Sequence, residues 1–137
     1  MFILDTNVIS EARKRNCHPG VAAWITAQDM DDLYISAITV LEIQRGISQT
    51  ERQGDAPQAA VFTRWLDEFV LPTFAGRILA ADHAVARIAG RLKWADARDL
   101  RDPVIAATAL VHGATVATRN VRHFEGTGVQ LVNPWEF

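Results

Sequence analysis

Phe2-Ile3-Leu4-Asp5-Thr6-Asn7-Val8-Ile9-Ser10 places an acid directly after an apolar run, and polar and apolar residues then mix. Phe2 to Leu4 reads as a buried strand. A carboxylate at the end of such a strand is costly to desolvate unless a cation compensates it, and a metal ion is the obvious one. The arrangement recurs twice more. Glu42 lies inside Ile35-Ser36-Ala37-Ile38-Thr39-Val40-Leu41-Glu42-Ile43, and Asp102 opens Asp102-Pro103-Val104-Ile105-Ala106-Ala107-Thr108-Ala109-Leu110. Asp5, Glu42 and Asp102 are far apart in the chain, and each is embedded in apolar sequence. They are expected to meet as one oxygen-ligand site when the chain folds.

Outward from that string, strands alternate with helices. Val21 to Gln28, entered through Pro19-Gly20, has helical spacing at Val21, Trp24 and Ile25. Leu33-Tyr34-Ile35 reads as a second strand after the acidic turn Asp29 to Asp32. Ser36 suits the N-cap of a helix from Ala37 to Thr50 that carries Glu42 early. Gly54-Asp55-Ala56-Pro57 breaks the chain before an amphipathic helix from Gln58 to Val70. Arg77-Ile78-Leu79 is a strand, Asp82 caps a helix running to about Trp94, and Ala95 to Arg101 is a charged loop. Asp102-Pro103 starts another helix, because proline suits a first turn and aspartate favours the positive helix end. His112-Gly113 ends it, and Thr115 to Thr118 and Val129 to Val132 are the last strands. Four or five short strands between helices predict one α/β domain over residues 1–137 with a mainly parallel sheet, without linker or repeat.

Ligand sites in open parallel sheets lie beyond the carboxyl ends of the strands, where Asp5 falls. Glu42 and Asp102 come near the starts of helices. An all-oxygen set suits Mg2+, which keeps several waters and takes one or two carboxylates directly. Each acid also has a simpler role. Asp5 would cap a helix beginning near Thr6, Glu42 would be an exposed helix residue, and Asp102 would be a first-turn helix acid. Asp96 and Asp99 read as parts of a solvated loop.

At 137 residues, with 49% hydrophobic residues and a mean hydropathy of +0.02, the chain is expected to be a soluble single domain. No apolar stretch approaches a membrane span and no basic leader precedes an apolar core, so a cytoplasmic location is expected. The single Cys17 excludes an internal disulfide and a cysteine zinc cluster. His18, His83, His112 and His123 lack the spacing of helical zinc ligands and read mostly as surface or capping residues. Net charge is −2, yet twelve of the fourteen basic residues are arginine. Arg13 and Arg15 flank Lys14, and Arg98 and Arg101 lie near Asp102. They are candidates for a positive rim that grips phosphate, as is Arg119 after the Thr115 strand, with a solvated surface as the rival role. Trp65 and Phe69, one turn apart, widen the apolar face of their helix beyond the needs of a small core. A dimer contact or a partner helix would use the surplus.

Leu4 to Ser10, Ser36 to Glu42, Phe74-Ala75-Gly76-Arg77-Ile78-Leu79, Asp102 to Ala109, Val116-Ala117-Thr118-Arg119-Asn120 and Asn133-Pro134-Trp135 follow one another across essentially the whole chain. In order and spacing they resemble the PIN-domain ribonucleases, specifically the VapC and FitB-like toxins of bacterial toxin-antitoxin pairs. The resemblance implies a PIN-like three-layer α/β/α fold with a short, mainly parallel central sheet of four to five strands. It also implies an endoribonuclease that hydrolyses RNA phosphodiester bonds, a specific tRNA being one substrate, with Mg2+ or Mn2+ as cofactor. Asp5, Glu42 and Asp102 take the places of the catalytic, metal-binding carboxylates. A fourth position falls on Asn120, a neutral and weaker ligand, expected to hold a metal-bound water or orient a neighbour, with Thr6 and Thr118 as supporting hydroxyls. The implied partners are a homodimer mate and a VapB-like antitoxin whose arm inhibits the site and whose DNA-binding domain carries the complex to operator DNA. A catalytically silent PIN-fold binding module and a nuclease acting on DNA are the alternatives. A Rossmann-like nucleotide-binding protein, which would share the alternation, is a third, against which stand the missing G-x-G-x-x-G after the first strand and the missing Walker lysine.

Overall fold

Side chains alternate faces along each strand, and in this protein both faces of the sheet are covered. On β1 (Phe2–Leu4), Phe2 and Leu4 point to one core and Ile3 to another; on β4 (Thr115–Ala117), Ala117 joins the first and Val116 the second. The computed structural model describes residues 1–94, 96 and 98–137, so the expected charged loop from Ala95 to Arg101 lies partly outside the described residues. The other strands are β2 (Leu33–Ser36), β3 (Ile78–Leu79) and β5 (Gln130–Val132). All five pair in parallel in the order β3-β2-β1-β4-β5, with Phe2 opposite Leu33 and Thr115. The expected mainly parallel sheet is thus wholly parallel.

That order fixes where helices go. The chain adds strands outward from β1 to β3, then returns to the other side of β1 for β4 and β5. Parallel crossovers are right-handed, so reversing the direction of addition moves the connecting helices to the opposite face. Helices α1 (Thr6–Ala12), α2 (Pro19–Ala27), α3 (Ala37–Arg52) and α4 (Ala56–Trp65) pack Val8, Ile9, Trp24, Ile43, Ile47 and Ala59 on one side. Later helices α6 (His83–Arg91), α7 (Arg101–His112) and α8 (Val121–Phe124) lie in the return half, and α7 and α8 bury Ile105, Ala106, Ala109 and Phe124 on the other. Three layers result. The point of reversal, between the carboxyl ends of β1 and β4, opens a crevice there.

Several boundaries differ from the sequence pattern, for local reasons. Asp55-Ala56-Pro57 starts α4 instead of breaking the chain: Asp55 accepts the Gln58 N–H at 3.1 Å, and Pro57 fits the first turn. That helix does not stop at Val70. It widens to a π turn over Leu66–Val70, where Leu71 N–H reaches Leu66 O, and continues as α5 (Leu71–Thr73). Pro72 has no N–H to give to the residue 68 carbonyl, and the wider winding accommodates it. Helix α6 ends at Arg91, three residues before Trp94, because Leu92 turns extended and Trp94 packs edge-on against Phe124 at 5.6 Å in the second core. Helix α7 begins at Arg101, one residue early, and Gly113 closes it in the left-handed region at φ 63°.

Gly20 shows the closest backbone approach. A Cβ there would lie 2.9 Å from Pro134 O and 3.1 Å from Trp135 O, because α2 rests on the C-terminal 3-10 turn Pro134–Glu136. Gly20→Ala is expected to destabilise the fold by about 1–3 kcal/mol through overpacking against rigid backbone, read as a lower urea midpoint with unchanged slope.

Candidate active site

Asp5 stands at the exit of β1. Its N–H continues the ladder to Ala117 O at 2.9 Å, and its extended backbone makes it the N-cap of α1. Oδ1 accepts the Thr6 N–H at 2.7 Å, while Oδ2 accepts the Thr118 hydroxyl at 2.7 Å and the Asn7 amide at 3.2 Å. The capping role is therefore present, and it holds the carboxylate in the crevice. Only 5% of Asp5 is exposed. Burial pushes its carboxyl up to about 6; the Thr118 hydrogen bond opposes the rise and the charge of Asp102 reinforces it.

Ser36 ends β2 and accepts the Ile38 N–H at 3.1 Å, which starts α3 and brings Glu42 over the crevice. Burial, followed by the charge of Asp5, pushes Glu42 up to about 7, against the Thr6 hydroxyl and the Arg101 guanidinium. Its Oε1 is buried without a hydrogen-bond partner, and Oε2 is 3.8 Å from Arg101 Nη1. Asp102 enters from the first turn of α7, also raised by burial, with His123 Nδ1 at 3.4 Å from its Oδ2 opposing the rise.

The fold thus brings together all three expected acids. Each is raised, and the charges of neighbouring acids contribute at every one. Among the described residues, no three His, Cys, Asp or Glu groups are drawn tightly enough to hold an ion as they stand. The donor set nonetheless fits a hard divalent cation. It is all oxygen, it is charge-crowded, and the orphaned Glu42 Oε1 lacks a donor or cation.

The supporting groups divide. Thr118, fully buried, donates to Asp5, and its oxygen accepts the Asn120 N–H at 3.0 Å; Thr6 donates to Thr39 at 3.4 Å. Asn120 is exposed at the N-cap of α8, and its side chain makes no capping bond. Removing the hydroxyl in Thr118→Val, which keeps the shape, is expected to weaken divalent-ion binding about 10–100-fold, measured by calorimetric Mn2+ titration.

The candidate arginines have distinct settings. Arg101 forks onto Asp99 at 3.1 and 3.2 Å besides reaching Glu42, so it is an internal counter-ion of the acids. Asp99 is accordingly part of a charge network and not merely a solvated loop residue. Arg98 pairs with Asp96 at 3.3 Å, Arg119 lies 5.5 Å over Trp135, Arg15 is exposed, and Arg13 lies over Phe62 and Trp65. Asn7 and His123 are site residues that the sequence reading missed. Asn7 had a signal, two residues beyond Asp5 in the opening string. His123 had none, because the short helix α8 alone carries it to Asp102. The reading of the histidines as mostly surface or capping groups holds for His18, which accepts the Gly20 N–H, and for the exposed His123, whose contact with Asp102 it did not foresee.

Residues 2–128 match the PIN domain family. The chain belongs to that family. It is 41% identical to the VapC ribonuclease Y4jK of Sinorhizobium fredii over 142 residues, covering 99% of each chain. It is 38% identical to Toxin FitB of Neisseria gonorrhoeae, covering 98% of this chain and 99% of FitB. The solved structure of FitAB bound to an IR36 DNA fragment superposes with a TM-score of 0.87 at 36% identity, over 100% of this chain and 97% of that one. The PIN fold expected from the order and spacing of the six strings is therefore the fold observed.

Proposed function

We propose that this PIN domain is the toxin of a type II toxin-antitoxin pair. It acts as an endoribonuclease that hydrolyses RNA phosphodiester bonds and depends on Mg2+ or Mn2+. One observation carries this reading: Asp5, Glu42 and Asp102 converge at the sheet's point of reversal, where burial and the charges of neighbouring acids raise all three carboxyls. Ionised together, such a set is strained by its own repulsion and desolvation, which a bound cation would relieve. Bound there, the cation would activate water for in-line attack and offset the negative charge that builds around phosphorus.

The chain's own groups do the rest. Thr118, Asn7 and the Thr6 N–H hold Asp5 in one orientation, and Asp102 and Glu42 supply the facing oxygens. Asn120 orients a water or a neighbour. Arg101, already between Glu42 and Asp99, would stay the counter-ion nearest the acids, with Arg13, Arg15, Arg98 and Arg119 as the rim arginines for the RNA backbone. The name of the VapC relative supports RNA as the substrate, and a specific tRNA is the narrower proposal.

A groove of about 550 Å3 between α1, α2 and the end of α4 suits the arm of a VapB-like antitoxin; Ile9, Cys17, Ile25, Trp65, Phe69 and Phe74 are among its lining residues. Phe69 and Val61, both exposed, suit a homodimer contact. The DNA-bound FitAB complex supports operator binding by the whole assembly. Among the described residues no helix is long and apolar enough to cross a membrane, and the proposed site of action is the cytoplasm.

The test compares cutting of total bacterial RNA and of single- and double-stranded DNA by the purified chain in Mg2+, Mn2+ and EDTA. Discrete RNA cuts that EDTA abolishes are the expected result. Preferential DNA cutting would overturn the substrate, and no cutting of either would leave a catalytically silent binding module.

A further inference from the structure

Helix α3 delivers Glu42 to the acid crevice, and the rest of the same helix face has no role in the centre described above. In helical steps from Glu42 that face carries Gly46, Gln49 and Gln53. Together with Arg13, Phe62 and Trp65 they line a cleft of about 370 Å3 that begins at Glu42 and Thr6. This size is within the range of roughly 300–1,000 Å3 common to small-ligand sites.

Three observations say what the cleft takes. Gly46 sits in mid-helix with ordinary negative φ, and a Cβ there would meet nothing within 4 Å. Neither packing nor conformation calls for glycine, a poor helix former, and its presence leaves open backbone at the cleft. Arg13 lies 4.7 Å over Phe62 and 5.6 Å over Trp65, and among the described residues no carboxylate pairs with it. Gln49 also lines the adjoining groove with Arg45 and Arg52, which likewise have no carboxylate partner among the described residues.

We infer that the α3 face from Glu42 to Arg52 is the track for single-stranded RNA beside the scissile phosphate. Arg13, Arg45 and Arg52 hold phosphates, and the amides of Gln49 and Gln53 read a base edge. An amide offers both donors and an acceptor, matching a base edge, and a guanidinium already stacked on aromatic rings gives a base a flat surface. The proposal rests on the ribonuclease reading. A second copy of this chain is the rival occupant, but homodimer interfaces are apolar at their core, whereas this face carries Arg45, Gln49, Arg52 and Gln53.

The test uses wild type, Gly46→Ala and Arg13→Ala, with a randomised RNA pool carrying 4-thiouridine, in Ca2+ for crosslinking and Mg2+ for cleavage. Wild-type crosslinks are expected in the peptides that contain Gln49 and Trp65. Both variants are expected to lose them and to raise KM about tenfold while kcat falls far less. Gly46→Ala should melt no lower than wild type, which a merely structural glycine would not allow. Crosslinks confined to other peptides, or wild-type KM in both variants, would overturn the track. So would a changed oligomer mass with unchanged RNA binding, which would assign the face to a second copy. Crosslinks on α3 without any RNA cleavage would keep the track and refute the ribonuclease reading instead.

Discussion

Asp5→Asn is expected to reduce RNA cleavage by on the order of a thousandfold or more while the protein stays folded. A metal centre contributes several kcal/mol to stabilising charge in the transition state, and each 1.36 kcal/mol is about tenfold in rate. Asn retains an oxygen to accept the Thr6 N–H, so the cap of α1 survives. It loses the second carboxylate oxygen, the acceptor for Thr118 and Asn7, along with the charge. Removing one of three crowded acids relieves repulsion, and the metal-free variant should melt at or above the wild-type temperature. Lost cleavage with a preserved melt supports a chemical role for Asp5. Wild-type cleavage by the variant, or loss through unfolding, would refute it.

The second large effect is in the pH and metal dependence of stability. Asp5 and Glu42 titrate near 6 and 7 in the folded chain, above the usual values of 3.8 and 4.5. Between about pH 4 and 7 the folded state therefore holds protons that the unfolded state has released. Stability falls as pH rises through that window, and the full penalty is present above it. For Asp5 alone the shift corresponds to roughly 3 kcal/mol. Glu11 and Asp99, whose carboxyls are lowered, act in the opposite sense only at more acid pH. In EDTA the melting temperature is expected to be higher at about pH 5 than at about pH 7.5. Mn2+ should recover on the order of 5–10 °C at the higher pH and little at the lower. Asp5→Asn should flatten both trends. A melting temperature that rises with pH in EDTA, or a metal effect equal at both, would contradict the charge-crowded centre.

Much of the architecture was legible because each strand ends in a signal with a local physical meaning. Asp5 after Leu4, Ser36 after Ile35 and Thr118 after Ala117 are polar caps or ladder ends on buried strands, and parallel topology sends all such ends to one side. The acids were legible for the same reason: an ionisable group inside apolar sequence needs a compensating charge. What was not legible depends on distant contacts. Nothing near Pro72 announces that its helix widens into a π turn and runs on, and Leu92 leaves its helix because of a core formed with Phe124. His123 reaches Asp102 only through the path of α8, and Arg101 reads as a substrate-binding charge until Asp99 and Glu42 are seen to claim it.

Binding of Mn2+ by the purified chain near pH 7.5, followed by electron paramagnetic resonance and compared with Asp5→Asn, tests most directly whether these acids form a cation site. Saturable binding by wild type, lost in the variant while its circular dichroism is unchanged, is the expected result. Equal binding by both chains, or none by either, would contradict a metal centre built on Asp5, Glu42 and Asp102.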